Sequence, residues 1–205
     1  RAIAEFEFSL TFANAPIVQA RFLKCSEFAG EMCHFRDDYG YLIVHARDSE
    51  FYSGLLGAYI SQLRFTNCVM QRAAVVLLGG RPDSDRTLRN CTFLGGRFQV
   101  QRWTNAVDQT VGYTKVSVRD SAFDGTQLLT TDFLMTDTNY NDYDYNAYLS
   151  TNYHTNFVGA HDVFVTSFDW QTGPLGNSYL PANSTLVNAG SLASAATAGL
   201  YHYTT

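Results

Sequence analysis

Apolar and polar residues alternate one by one in short stretches of this chain, as in "AEFEFSLTF" at 4–12, "FQVQRW" at 98–103 and "KVSVRD" at 115–120. A period of two sends successive side chains to opposite faces of a strand. Glycine closes many of the stretches, at Gly30, Gly54, Gly95, Gly96 and Gly125, and no segment sustains a long amphipathic helical period. The pattern predicts short strands separated by tight turns.

The strands recur. "CSEF" at 25–28, "DSEF" at 48–51, "NCVM" at 67–70, "NCTF" at 90–93 and "DSAF" at 120–123 share Cys/Asp/Asn, Ser/Cys, any residue, then Phe/Met. The steps between them are 23, 19, 23 and 30 residues, the range of solenoid repeats, and the longest step holds "TNAVDQTVGYT", read as a loop insertion. Two residues before each anchor stand Leu23, Ala46, Phe65, Leu88 and Val118; eight after stand Cys33, Leu56, Val75, Phe98 and Leu128. None of these positions was used to align the copies, and all are apolar.

A unit of about 22 residues built from short strands cannot close its own core, so it must stack on its neighbours. The expected architecture is all-β: a right-handed parallel β-helix rising about 4.8 Å per coil. Stacking places Phe28, Phe51, Met70, Phe93 and Phe123 in one interior column. Beside it the Ser/Cys position makes a small-residue column at a bend, and Cys25, Asp48, Asn67, Asn90 and Asp120 make a ladder there, because short polar side chains tolerate unusual dihedrals. Asp48 and Asp120 are two Asn coils apart, about 14 Å, beyond the roughly 8 Å screening length. Cys68 and Cys91 become neighbours, either bridged or, as we favour, stacked as free thiols.

Composition narrows the function. The 205 residues are 46% hydrophobic and carry a net charge of −5 with two lysines, Lys24 and Lys115, so no basic surface for nucleic acid is expected. The longest apolar run, "AAVVLL" at 73–78, has strand length and predicts no membrane span. Four cysteines without CxxC spacing make neither a zinc site nor a disulfide scaffold. The chain begins at Arg1 with no charged-then-apolar leader, so it is read either as processed or as cut from something longer, and the alternation at 4–12, like that of another coil, is compatible with an array that continues upstream.

After about residue 130 the composition turns to Tyr, Asn, Asp and Thr in "TDTNYNDYDYNAYLSTNYHTN", 136–156. The expected division is coils over 1–130 and a polar, Tyr/Asn/Asp-rich capping extension of the same domain over 131–205. "DYNAYL" at 144–149, "GAHDV" at 159–163 and "YLPANSTLVNAGS" at 179–191 followed by "AGLYHYTT" resemble the closing segments of large bacterial secreted proteins with right-handed β-helix repeats. The resemblance implies an extracellular or cell-surface location and no particular activity.

Candidate chemistry is sparse. Enzymes that cleave acidic polysaccharides use clustered carboxylates as acid, base or calcium ligands. The pairs here are Asp37 with Asp38, Asp83 with Asp85, and Asp120 with Asp124, all of which also read as turn residues. "GGRPDSDR" offers the strongest catalytic alternative, Asp83 and Asp85 flanked by Arg81 and Arg86. "DTNYNDYD" at 137–144 presents Asp137, Asn139, Asn141 and Asp144 as oxygen ligands for calcium, the one cofactor considered, although Asp142 stands where an EF-hand has Gly. Tyr140, Tyr143, Tyr145 and Tyr148 offer rings for stacking on sugars or on the solenoid. His161 and Asp162 are adjacent, so on a strand they face opposite ways. "LGGRPDSD" lacks the ending of a phosphate loop. The expected function is a non-catalytic structural or adhesive module of a larger bacterial surface protein, with polysaccharide or another protein chain as partner. The alternative is a carbohydrate-binding or carbohydrate-active β-helix.

Overall fold

The computed structural model describes residues 17–18, 21–22, 43–47, 50–58, 62–78, 86–101, 103–104, 111–112, 115–130, 141–173 and 176–191. Three parallel sheets, here A, B and C, stack coil upon coil. Sheet A pairs Ile17–Val18, Ile43–Arg47, Gln62–Thr66, Arg86–Arg89, Val116–Arg119 and Asn141–Asp144 in that order. Sheet B pairs Arg21–Phe22, Glu50–Tyr52, Val69–Gln71, Thr92–Leu94, Ala122–Asp124, Ala147–Leu149 and Val163–Val165. Sheet C pairs Leu55–Ala58, Ala74–Leu78, Arg97–Gln101 and Gln127–Thr130. The chain visits A, B and C in turn, and every pairing within these sheets is parallel, so the all-β, solenoid-like reading holds.

Register follows the repeat. Phe51 pairs with Met70, Met70 with Phe93 and Phe93 with Phe123. The flanking apolar columns form as well: Ala46, Phe65, Leu88 and Val118 in sheet A, and Leu56, Val75, Phe98 and Leu128 in sheet C, are all buried. Phe93 and Phe123 stack with centroids 4.6 Å apart, Phe123 and Tyr148 with centroids 5.2 Å apart. Each such buried ring contributes roughly 1.5–3 kcal/mol by burial and each pair about 0.5–1.5 kcal/mol more.

The bends explain the anchor residues. Asn67, Asn90, Asp120 and Tyr145 lie at φ of 56°, 50°, 56° and 57° between sheets A and B. This left-handed region suits Asn and Asp, whose short polar side chains can bond locally. The amide of Asn67 donates to the Arg89 carbonyl at 3.0 Å, that of Asn90 to Arg119 at 3.2 Å, and the Asn90 side chain to Asn67 Oδ1 at 3.0 Å. Ser53, Arg72, Gly95 and Gly125 take the same conformation between B and C. At Gly96, with φ of 72°, a Cβ would lie 2.2 Å from the Ala73 carbonyl, so only glycine fits.

The small-residue column is a hydrogen-bonded chain. Cys68 and Cys91 are buried free thiols. The Cys91 amide donates to Ser121 Oγ at 3.1 Å, the Ser121 amide to Asn146 Oδ1 at 3.1 Å, and the Asn146 amide to Asp162 Oδ1 at 2.7 Å. The column therefore ends on a carboxylate.

Two expectations change. The partner of Phe51 is Phe22, not Phe28: Ile17 pairs with Ala46 and Phe22 with Phe51, keeping the five-residue step from sheet A to sheet B found in every coil. Phe28 and Cys25 lie outside the described residues, as do Asp48, Asp37 and Asp38. The coils also run past residue 130. Asn141–Asp144 and Ala147–Leu149 extend sheets A and B, which sets "YNAY" at 145–148 in register with "DSAF" at 120–123 although it does not match the motif. Val163–Val165 adds one more strand to B.

Beyond these strands the chain folds back against the coils. Phe157, on the single turn Thr155–Phe157, is buried against Phe98 and Tyr143, and its carbonyl accepts from the Tyr148 hydroxyl at 2.6 Å. Gly159 presses on sheet A: a Cβ there would lie 2.0 Å from the Tyr143 carbonyl. The chain then turns back on itself in the antiparallel hairpin Gln171–Gly173 with Gly176–Tyr179. Trp170 Nε1 donates to Asp124 Oδ2 at 2.9 Å, and the Ser191 hydroxyl to Asp120 Oδ2 at 3.0 Å.

Candidate functional site

The densest group of charges among the described residues lies on the outer face of sheet A at its last two strands. Val116 and Val118 face the core, so alternation turns Ser117 and Arg119 outward. Buried Asn141 and Tyr143 likewise turn Asp142 and Asp144 outward. Pairing sets Ser117 beside Asp142 and Arg119 beside Asp144.

The Arg119 guanidinium ties the two acids together. Its Nε donates to Asp142 Oδ1 at 2.9 Å and its second arm lies 3.6 Å from Asp144 Oδ2. Ser117 Oγ donates to Asp142 Oδ2 at 2.7 Å and accepts from the Arg89 guanidinium at 2.6 Å. Asp144 accepts the His161 amide at 2.8 Å, and His161 Nδ1 lies 2.9 Å from its other oxygen. Tyr145 stacks on the His161 ring at 4.6 Å, with Arg119 5.8 Å from the Tyr145 centroid. A groove of about 420 Å³ opens between Arg119, Asp142 and Asp144 on one side and Thr155 to Ala160 on the other.

The electrostatics separate two acids. Burial alone would raise the Asp144 carboxyl, but the His161 ring and amide and the Tyr145 amide outweigh it and hold Asp144 below the ordinary carboxylate range. Burial raises Asp162, and although the amides of Asn146 and Gly159 oppose the shift, it stays above its ordinary value. A raised acid beside a lowered one is the pattern of acid–base catalysis. Here, however, both Asp162 oxygens accept backbone amides, from Asn146 and from Gly159, each at 2.7 Å. Both oxygens of Asp142 and of Asp144 are also held by protein groups. The arrangement fastens the 159–162 crossing under the last coil.

The sequence candidates scatter. Asp83, Asp85 and Arg81 lie outside the described residues. Arg86 is wholly buried in sheet A between Leu63 and Val116, and burial lowers its guanidinium to about 10. Asp120 and Asp124 each bond the returning C-terminal segment. Of the calcium quartet, Asp137 and Asn139 lie outside the described residues, while Asn141 is buried and Asp144 faces outward, so these two do not converge. Among the described residues no three His, Cys, Asp or Glu gather to hold a metal. Tyr140 also lies outside them, Tyr143 and Tyr148 are core rings, and Tyr145 sits at the bend against His161. His161 and Asp162 precede the strand Val163–Val165 rather than lying on it; the His161 ring meets Asp144 and the Asp162 carboxylate accepts two amides. Arg119, Asp142, Ser117 and Arg89 were not anticipated. Their signal was the outward phase of "KVSVRD" and "NDYD", readable only once these two segments are known to be neighbouring rungs.

Fold and site together define a solenoid-like stack of parallel coils with an arginine–carboxylate ladder on one outer face. No family model, curated protein or solved structure matches the chain. Among the described residues no helix is long and apolar enough to cross a membrane.

Proposed function

We propose that this chain is a non-catalytic, extracellular structural or adhesive module, a right-handed parallel β-helix serving as one segment of a larger bacterial surface protein. The right hand follows from the strong bias of parallel crossovers toward that sense. One observation carries the non-catalytic reading: among the described residues, the acids placed for chemistry are spent on protein donors. Asp120 and Asp124 hold the returning segment, Asp142 and Asp144 hold Arg119 and His161, and Asp162 caps the small-residue column. A hydrolytic pair instead needs one carboxyl directed at the leaving oxygen and another at water or the sugar. A surface location follows from the resemblance of "DYNAYL", "GAHDV" and the closing segment to secreted repeat proteins.

The test is incubation with a panel of plant and bacterial polysaccharides, scored for cleavage and for retention. The proposal expects no cleavage. Turnover that disappears in Asp83→Asn, Asp85→Asn, Asp142→Asn or Asp144→Asn, in protein that still folds, would overturn it in favour of a carbohydrate-active enzyme.

A further inference from the structure

Sheet B reaches further along the stack than its neighbours. Among the described residues sheet A ends at Asn141–Asp144 and sheet C at Gln127–Thr130, whereas sheet B ends on Val163–Val165. The Val163 amide donates to the Asn146 carbonyl at 2.8 Å, and the Val165 carbonyl accepts the Ser150 amide at 2.8 Å. Both valines therefore bond toward Ala147–Leu149, and in a parallel ladder the residue between them turns its amide and carbonyl to the outer edge. That residue is Phe164, which pairs with Tyr148 and ends the aromatic column that runs through Phe93 and Phe123. Its ring lies 6.0 Å from Tyr148 and 4.9 Å from Tyr153, yet it stays 43% exposed, and Tyr153 46%. The rungs of the column from Phe51 to Tyr148 are all buried. Of the large apolar side chains exposed among the described residues, these two touch, while Val187 lies on the C-terminal segment. Ser150, Thr166 and Ser167 beside the strand are exposed and uncharged.

We propose that Val163–Val165 pairs antiparallel with the same strand of a second copy of this chain, about a two-fold axis at Phe164. The edge is self-complementary. An antiparallel hydrogen-bonded pair exchanges two N–H···O bonds between one residue of each strand, which matches the outward amide and carbonyl of Phe164. About that axis Val163 opposes Val165, Asp162 opposes Thr166 and His161 opposes Ser167, so no two like charges meet. The Asp162 carboxylate keeps its own amides, those of Asn146 and Gly159. The two Phe164 rings fall on one face of the joined sheet and carry the column from one stack into the other. Such a contact is isologous and closes at two copies, and uncharged aromatic surface is what interface cores favour. Each copy offers a strand of three residues and the flanking Tyr153, so the contact belongs to the weak, transient class, below about 1,200 Å² of buried surface. The inference goes beyond the structural-module reading and does not depend on it.

The experiment is sedimentation velocity of the intact chain from about 1 μM to about 1 mM, the range in which weak contacts form. The proposal expects a monomer that passes to a dimer across this range, with no larger species. Phe164→Lys sets two ammonium groups against each other at the axis and weakens association at least about tenfold. Val187→Lys, at the other exposed apolar side chain, leaves it unchanged. Circular dichroism confirms that each variant folds. Hydrogen–deuterium exchange of the unaltered chain at both ends of the range gives a reading that needs no substitution: the peptide covering 163–165 slows at high concentration, and the one covering 185–190 does not. A monomer throughout, association that grows past the dimer, a folded Phe164→Lys that associates as well as the parent, or a dimer without slowing at 163–165 would each overturn the inference. None of these outcomes bears on the polysaccharide test, so failure here leaves the structural-module reading intact.

Discussion

Asn146→Ala removes the residue that joins two coils through the small-residue column. Asn146 is wholly buried; its Nδ2 donates to the Val118 carbonyl at 2.9 Å and its Oδ1 accepts the Ser121 amide at 3.1 Å. Truncation leaves the Ser121 amide without its side-chain acceptor, which costs about 1–3 kcal/mol, and removes the bond to Val118, about 0.5–1.5 kcal/mol. The expected loss is about 2–4 kcal/mol, or a fall in Tm of roughly 5–15 °C for a chain of this size. Chemical denaturation followed by tryptophan fluorescence measures the loss, with Ser121→Ala as a milder companion, since Ser121 Oγ accepts one amide and donates to the Arg119 carbonyl at 3.0 Å. A loss below about 0.5 kcal/mol, the size of an ordinary surface substitution, would show that the column does not tie the coils together.

Three further outcomes follow from the same geometry. Asp144 has a depressed carboxyl, so its contribution is present above the ordinary carboxylate pKa and is lost as pH falls through its folded value. Asp144→Asn should flatten the acid limb of a stability–pH curve, and an unchanged limb would refute the His161 pairing; Asp162, whose carboxyl is raised, acts in the opposite sense. Gly159→Ala forces a Cβ into the Tyr143 carbonyl and should destabilise by about 1–3 kcal/mol in thermal unfolding. Trp170→Phe removes the bond to Asp124 and should speed proteolytic release of the C-terminal segment while the coils' Tm shifts by only a few degrees.

Much of the stack was legible because each coil repeats the same local demand. Asn67, Asn90 and Asp120 could be read as bend residues since few other types accept a left-handed backbone. Tyr145 takes the same conformation and was not recognised, because a stacked His161 and a nearby Arg119, both tertiary partners, support it there. The first coil is ambiguous in sequence for a related reason. Leu23 and Phe28 satisfy the five-residue step as well as Ile17 and Phe22 do, and only sheet pairing distinguishes them. The candidate site was illegible in principle. Arg119 and Asp142 are 23 residues apart, and their contact depends on a coil at 141–149 that looks in composition like a polar loop.

Hydrogen–deuterium exchange of the intact chain, resolved to peptides, tests the central claim most directly. If parallel coils continue through Tyr148 and are fastened there by Asp144 and Asp162, peptides covering 141–149 exchange as slowly as those covering 86–101 and 115–130. Protection that stops at residue 130, with 141–149 exchanging at the rate of an open loop, would contradict the account.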